Sequence, residues 1–151
     1  MPHDGQHANE VAIRAVIDRQ FASLSWDENV APGWDDFAGD FLDGASLYPA
    51  ARPARRANVA DFVGRMRDLS ATSLLSLREM VLGADIRVFG NIAVAAVAAE
   101  MIENGTETNR SVEMMLLVKS EGHWKIVAQA WDKASETNPL PDALVSGAAS
   151  R

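Results

Sequence analysis

The sequence contains no cysteine and only three histidines, which excludes several kinds of site from the start. Without cysteine there is no disulfide, no thiolate nucleophile and no zinc site that uses sulfur. His3 and His7 lie in the polar N-terminal segment, and His123 lies in a predicted hairpin turn. We find no His/carboxylate cluster with metal-ligand spacing, no Gly-rich phosphate loop and no nucleophilic Ser elbow. We therefore expect no metal and no cofactor, and any acid or base must be a carboxyl group or Tyr48.

Long apolar runs and excess positive charge are missing as well. No segment has about 20 consecutive apolar residues, and residues 1–10 lack the basic start and apolar centre of a secretory signal. The formal net charge of -7 repels phosphates and anionic lipids. Together with the lack of cysteine, these features favour a cytoplasmic protein that binds neither nucleic acid nor membrane.

One loop departs from the acidic composition. Arg52, Arg55 and Arg56 lie within five positions of a Pro/Ala-rich stretch, a density of guanidinium groups that is able to bind an anion. No aromatic residue is interleaved with them, so solvated loop charges are the favoured interpretation. Their role stays open.

The chain has the size and composition of one globular domain. It has 151 residues, of which 48% are hydrophobic and 23% are charged. We predict a flexible N-terminus over residues 1–8, a single domain over residues 9–134 and a loosely held tail over residues 135–151, where two prolines precede small residues.

Helical periodicity marks the first half of the chain. Apolar residues at helical spacing predict a first helix over Asn9–Leu24 and a short aromatic second helix from Trp34 to near Gly44. A short extended piece, residues 46–48, precedes Pro49. Asn58 is a suitable N-cap for a third helix that ends near Ser70.

The second half changes to strand periodicity. The predicted strands are Leu77–Phe89, Ile92–Glu103, Thr106–Lys119 and Trp124–Lys133. Short turn pairs separate them, namely Gly90-Asn91, Asn104-Gly105 and Glu121-Gly122, which are typical of antiparallel hairpins. Gly83 within the first run predicts a bulge. Helices followed by a long-stranded meander predict the α+β class.

This order of elements resembles the nuclear transport factor 2-like (NTF2-like) superfamily, and most closely its SnoaL-like and ketosteroid-isomerase-like branch. The resemblance covers about residues 9–133 and is most specific in the last hairpin, Gly122-His123-Trp124 to Trp131. It implies a cone-shaped, curved antiparallel β-sheet whose N-terminal helices enclose a pocket, the NTF2-like or cystatin-like α+β roll. It also implies a small apolar ligand and dimers that pack sheet against sheet.

Side chains alternate between the two faces of a strand, which sorts the residues of the sheet. In the third strand Glu113 shares a face with Met115, while Met114 and Leu116 share the other. In the last strand, alternation puts four residues on the face of Glu113, namely Lys125, Val127, Gln129 and Trp131. The opposite face is almost entirely apolar, and one layer of helices covers only one face. We therefore predict a homodimer through the second face; the alternative is that its Ala-rich strand tolerates exposure.

Two residues are candidates for catalysis. Glu113 is a carboxyl group among apolar neighbours, where its pKa is raised towards values suited to proton transfer. Tyr48 is able to donate a hydrogen bond to a carbonyl or a developing oxyanion. The alternative for Glu113 is a structural ion pair with Arg110 or Lys125. The candidate ligand-binding residues are Trp34, Phe37, Phe62, Met115, Gln129 and Trp131, with a plain core role favoured for Phe37 and Phe62.

The catalytic set of the isomerases is missing. Tyr48 falls where that family has its aspartate base, Val16 where it has its oxyanion tyrosine, and Ser111 near its oxyanion aspartic acid, so we do not expect steroid isomerisation. The sequence predicts a SnoaL-like small-molecule pocket protein, a cofactor-independent lyase, isomerase or cyclase acting on an apolar substrate. The alternatives are a non-catalytic ligand-binding homodimer and, less favoured, a protein-interaction module.

Overall fold

A computed structural model describes residues 2–145 of the protein, and side chains from residue 5 onward. The helices are α1 (Pro2–Ser23), α2 (Trp34–Gly39), α3 (Val59–Thr72) and α4 (Asp142–Val145). The strands are β1 (Phe41–Tyr48), β2 (Leu77–Phe89), β3 (Ile92–Glu103), β4 (Glu107–Ser120) and β5 (His123–Lys133). The α+β order of helices and meander is therefore as predicted.

One curved five-stranded sheet organises the chain, in the order β1-β5-β4-β3-β2. Strands β2 to β5 form the predicted antiparallel meander, and the predicted bulge at Gly83 is confirmed by a register shift between Val81 and Gly83. The prediction of a purely antiparallel sheet is wrong at one edge, because β1 pairs with β5 in parallel. A hairpin turn forces antiparallel pairing only between consecutive strands, whereas α3 and three strands separate β1 from β5.

The first helix is longer than its periodic pattern. It begins at Pro2, so residues 2–8, which we predicted as a flexible N-terminus, are helical. Proline is tolerated in the first turn of a helix, and the polar residues that follow have no apolar stripe by which to be recognised. Helix α2 is shorter than predicted, because Phe41 and Leu42 belong to β1. For α3 the predicted cap is confirmed, since the Asn58 side chain accepts a hydrogen bond from the Asp61 backbone N–H.

The main core lies between the helices and one face of the sheet. Ile13 and Ile17 of α1 are fully buried there against Leu117 of β4 and Ile126 of β5. We call this face of the sheet the covered face. Burial of these large aliphatic side chains is the main favourable contribution to folding, at roughly 2 kcal/mol for each.

The opposite face of the sheet, which we call the outer face, stays open over much of β3 and β4. Ile92, Val94, Met114 and Leu116 are between 45% and 62% exposed on it. At one end of the sheet, α4 contacts β2 and β3 and buries its Leu144. Residues 142–145 of the tail that we predicted to be loosely held therefore pack against the domain, and residues 146–151 lie outside the described part. No helix within residues 2–145 is both long and apolar enough to cross a membrane.

Candidate functional site

Four polar side chains are buried on the covered face, where the surroundings are otherwise apolar. Ser111 and Glu113 come from β4, Gln129 comes from β5 and Gln20 comes from α1, and all four are at most 8% exposed. Strand alternation predicted this orientation of Glu113 correctly. Burying polar groups is costly unless they are hydrogen-bonded, so their partners decide what the site can do.

The amide of Gln129 joins Glu113 to Gln20. Its Nε2 donates to Glu113 Oε1 and also to Gln20 Oε1, the latter over 3.1 Å. Its Oε1 accepts from Gln20 Nε2 over 2.8 Å. Both N–H groups of Gln129 are thus used within the protein. We predicted Gln129 as a ligand-binding residue, but its amide instead holds the carboxyl group of Glu113.

Burial raises the pKa of Glu113 to about 7, although the hydrogen bond from Gln129 lowers it in part because that bond favours the charged form. Glu79 on β2 is a second acidic group nearby. Its pKa is raised well above the ordinary value, first by burial and then by the negative charge of Glu113. Neutral and charged forms of Glu113 are therefore both accessible near neutral pH, which is what proton transfer requires.

The predicted alternative for Glu113, an ion pair, is wrong. Arg110 Nε lies 2.8 Å from Glu100 Oε2, and the Nζ of Lys125 donates to the backbone carbonyl of Gly39. Arg19 forms an ion pair with the buried Asp40 through Nε and Nη2. Within residues 2–145 no cation forms an ion pair with Glu113, so burial governs the pKa of this carboxyl group.

Aromatic side chains adjoin the carboxyl group. Trp131 is the β5 residue directly opposite Glu113, and its ring meets Phe62 edge to face with centroids 5.6 Å apart. Phe62 stacks on Phe37 at 5.5 Å. Phe37 is buried and belongs to the core, whereas Phe62 and Trp131 are half-buried and pack against it.

The remaining predicted binding residues divide between core and periphery. Met115 is buried on the covered face opposite Gln129. Trp34 packs against Trp26 at 5.4 Å and carries the guanidinium of Arg67 at 5.9 Å from its ring centroid. Trp34 is thus engaged by other side chains.

Tyr48 does not share a space with Glu113. It is 38% exposed and pairs with Ala130 of β5, while its neighbour Leu47 is buried opposite Gln129. Alternation along β1 therefore places Leu47 on the covered face and Tyr48 on the outer face. The hypothesis that Tyr48 and Glu113 act together in one pocket is wrong on this geometry.

A cavity of about 380 Å³ lies on the outer face instead. Its lining includes Tyr48, Arg87, Val94, Met114 and Leu116. Gln129 and Met115 also border it, but neither Glu113 nor Glu79 lines it, so this cavity lacks the carboxyl groups that are suited to proton transfer. We place the candidate site on the covered face, at Glu113.

Two of the three loop arginines, Arg52 and Arg56, donate hydrogen bonds within the chain itself. Arg52 Nη1 donates to the three consecutive backbone carbonyls of residues 49–51. Arg56 donates to Ser46 Oγ at 2.6 Å and to the carbonyl of Gly44 at 3.1 Å. These contacts stabilise the loop and leave fewer donors for an anion.

Sequence reasoning missed Gln20 and did not assign Glu79. Gln20 occupies a position of the helical stripe formed by Ile13, Val16, Ile17, Phe21 and Leu24. A polar residue within such a stripe must find a buried partner, and that signal was available in the sequence.

Parity also fails in β5. Trp124 and Ile126 are buried on the covered face, as is Gln129, which parity placed on the opposite face from them. The register shifts between Leu116 and Leu117, whose partners are Ala128 and Ile126, so Val127 is the extra residue of a bulge. The prediction that Lys125 and Val127 share a face with Gln129 and Trp131 is therefore wrong.

No protein-family model matches the sequence, and no curated protein matches it. Solved structures do. An NTF2-like protein of unknown function from Pseudomonas putida KT2440 has a TM-score of 0.69 at 13% identity, over 87% of this chain and 92% of that one. A protein from Novosphingobium aromaticivorans described as "Putative Scytalone Dehydratase" has a TM-score of 0.72 at 14% identity, over 88% of this chain and 89% of that one.

A protein with a cystatin-like fold from Caulobacter vibrioides has a TM-score of 0.67 at 18% identity, over 89% of this chain and 92% of that one. At these identities the likeness shows the fold. The chain therefore has the NTF2-like, cystatin-like α+β fold, with helices over one face of a curved, unclosed mixed sheet.

Proposed function

We propose that the covered face beside Glu113 binds a small apolar molecule, and that Glu113 transfers a proton to and from it, as in a SnoaL-like lyase, isomerase or cyclase without a cofactor. The observation that carries the proposal is the buried carboxyl group with a pKa of about 7, next to the half-buried rings of Phe62 and Trp131. A group of this kind is able to act as base and then as acid at neutral pH.

The proton balance of such a reaction is simple. Ionised Glu113 removes a proton from a carbon next to a carbonyl or another electron-withdrawing group and becomes neutral. It returns the same proton to a different carbon in an isomerisation, or to a departing hydroxyl in a dehydration. One protein of similar fold bears the name of a dehydratase, which agrees with the lyase class.

Hydrogen–deuterium exchange tests the proposal without a known substrate. A panel of apolar ketones is incubated with the protein in deuterated buffer at pH 7, and loss of the α-proton signals is followed by NMR. We expect exchange of at least one ketone with the native protein and at least a tenfold slower rate with Glu113→Gln. Glu107→Gln, an exposed position on the same strand, is the matched control. Equal exchange rates for Glu113→Gln and the native protein would refute the catalytic role.

A non-catalytic ligand-binding protein is the second candidate. It is favoured by Tyr48, which lies on the outer face and therefore supplies no second acid or hydrogen-bond donor to Glu113. A thermal-shift screen of hydrophobic metabolites separates the two functions. Stabilisation that is retained in Glu113→Gln, without any proton exchange, supports binding alone.

We also propose that the outer face forms a homodimer. Exposed apolar side chains run across three strands there, from Tyr48 on β1 to Val94 on β3 and to Met114 and Leu116 on β4. A continuous patch of this kind is costly to leave in water.

Sedimentation velocity tests the dimer. We expect the native chain to sediment as a dimer at micromolar concentration and Leu116→Lys to sediment as a monomer with an unchanged circular dichroism spectrum. Ser120→Lys, an exposed position at the end of the same strand, should leave the dimer intact. A native chain that is monomeric at 100 µM would contradict the proposal.

A further inference from the structure

The amides of Gln20 and Gln129 form a reciprocal pair that a proton-transferring carboxyl group does not by itself require. We infer that this amide pair is a positioning device for Glu113, which reverses both of its amides when Glu113 changes between its charged and neutral forms, and so keeps that carboxyl group hydrogen-bonded in either form. The inference rests on the proposed role of Glu113 as a proton carrier.

The observed orientation fits the charged form. Gln129 Nε2 donates to Glu113 Oε1, and a carboxylate only accepts hydrogen bonds. The second N–H of the same nitrogen donates to Gln20 Oε1, and Gln20 Nε2 returns a bond of 2.8 Å to Gln129 Oε1. Each amide thus donates to the other and accepts from it.

With the proton on Oε1, the oxygen that faces Gln129, Glu113 needs the opposite arrangement, because that O–H must find an acceptor. Turning the Gln129 amide by 180° places Oε1 where Nε2 was, in position to accept from that O–H. If only Gln129 turned, its Oε1 would face Gln20 Oε1 and its Nε2 would face Gln20 Nε2, and both hydrogen bonds between the amides would be lost. If Gln20 turns as well, both bonds between the amides form again and no hydrogen bond is lost.

Burial makes this adaptation necessary. Gln20, Gln129 and Glu113 are 1%, 4% and 8% exposed, so water has little access to replace a broken bond. Within residues 2–145 no fully buried side-chain nitrogen or oxygen lacks a partner. With the proton on Oε1, a fixed amide would leave that O–H without an acceptor, a condition that proteins rarely tolerate in a buried group.

Other charged groups around Glu113 do not replace the pair. Glu79 on β2 forms no hydrogen bond to Glu113, and the negative charge of Glu113 raises the pKa of Glu79. On α1, Arg19 is held by Asp40, and on α3 the charged side chains of residues 61, 65, 67 and 68 are exposed. Glu100 of β3 and Arg110 of β4 bind each other, and Lys125 of β5 donates to a backbone carbonyl. Gln129 is the hydrogen-bond donor to Glu113 that the described residues provide.

The test follows both partners in the native protein by NMR, with ¹³C at the glutamate side-chain carboxyl and ¹⁵N at the glutamine side-chain amides. Between pH 5 and pH 9 the side-chain amide signals of Gln20 and Gln129 should both move with the midpoint of the Glu113 carboxyl. In Glu113→Gln these movements should vanish. If Glu113 titrates while the Gln20 amide stays unchanged, the inference is overturned.

A variant measures the effect of the pair on the carboxyl group. Gln20→Met keeps the length of the side chain and removes the amide, so Gln129 is less firmly held and donates more weakly to the carboxylate. The titration midpoint of Glu113 should rise by roughly half a pH unit or more. Gln6→Met, on the exposed part of the same helix, should leave it unchanged. An unchanged midpoint in Gln20→Met would show that Gln20 has only a structural role.

These titrations need no substrate, which separates this inference from the proposed function. Coupled titration without any ketone exchange would leave the amide pair established and remove the catalytic role. Ketone exchange that depends on Glu113, without any pH response of the Gln20 and Gln129 amides, would support the catalytic role and overturn the inference about the amide pair.

Discussion

Replacing Glu113 with glutamine should change how the stability of the protein depends on pH. The folded protein holds the pKa of Glu113 at about 7, against an ordinary value of 4.5. Between these two values the folded state binds a proton that the unfolded state has released. Stability from this group is therefore complete below about pH 4.5 and is lost as the pH rises towards 7 and above.

The magnitude follows from the size of the shift. Each pH unit of difference corresponds to about 1.4 kcal/mol, so the full cost of burying the ionised group is about 3 kcal/mol. Between pH 5 and pH 8 the part that is lost is about 2 to 3 kcal/mol. Glu113→Gln is neutral at every pH, and its amide oxygen still accepts from Gln129, so the variant should escape this loss.

Urea unfolding at pH 5 and at pH 8 measures the effect. The stability of Glu113→Gln relative to the native protein should rise by about 2 to 3 kcal/mol between the two pH values. Glu107→Gln, an exposed change on the same strand, should show no comparable rise. A change below about 1 kcal/mol for Glu113→Gln would mean that water or a cation reaches the carboxyl group, contrary to the burial that we describe.

Three further predictions address the frame of the site. Arg19→Met should destabilise the protein by about 2 kcal/mol in urea unfolding, because it leaves the buried Asp40 carboxylate without its guanidinium. The control Arg65→Met, at an exposed position of α3, should cost less than about 0.5 kcal/mol. Equal losses of stability in the two variants would contradict this prediction. Asn104→Ala should cost about 1 to 2 kcal/mol, because its side chain accepts from the Leu75 and Ser76 N–H groups and donates to Ser73, and an unchanged melting temperature would refute the importance of these bonds. Tyr48→Phe should leave the NMR titration midpoint of Glu113 unchanged, and a shift above about 0.3 unit would place Tyr48 on the covered face after all.

Much of the fold was predictable because its signals are local. The period of the helices, the Asn58 cap and the three glycine-containing turns each act within a few residues, and β2 to β5 lie within one residue of their predicted limits. Strand β1 begins five residues before the extended piece predicted at residues 46–48. The parallel pairing of β1 with β5 has no such signal, because it depends on where α3 returns the chain. The N-terminal extension of α1 lacks an apolar stripe and was therefore missed.

In the candidate site, too, residues with a local sequence signal were predicted and residues that depend on long-range contacts were not. Glu113 was found because β4 keeps strict alternation from Ser111 to Leu117. Gln129 and Trp131 were placed on the correct face because they pair with the part of β4 that contains Glu113. Trp124 and Ile126 lie on the other side of the bulge at Val127, which puts them on the opposite face from the one that alternation predicted. Tyr48 was misplaced because a short edge strand gives no long-range reference for its two faces. Gln20 lies 109 residues from Gln129, so no local pattern could join them.

The central claim is that ligands bind on the covered face at Glu113, and chemical-shift mapping of an apolar fragment library tests it most directly. The method uses protein labelled at the Trp side-chain N–H, the Met methyl and the Glu carboxyl groups. We predict that binding fragments shift the signals of Trp131 and Glu113 and leave Met114 on the outer face unchanged. Fragments that shift only Met114 and the other outer-face residues around the cavity at Tyr48 would contradict the account.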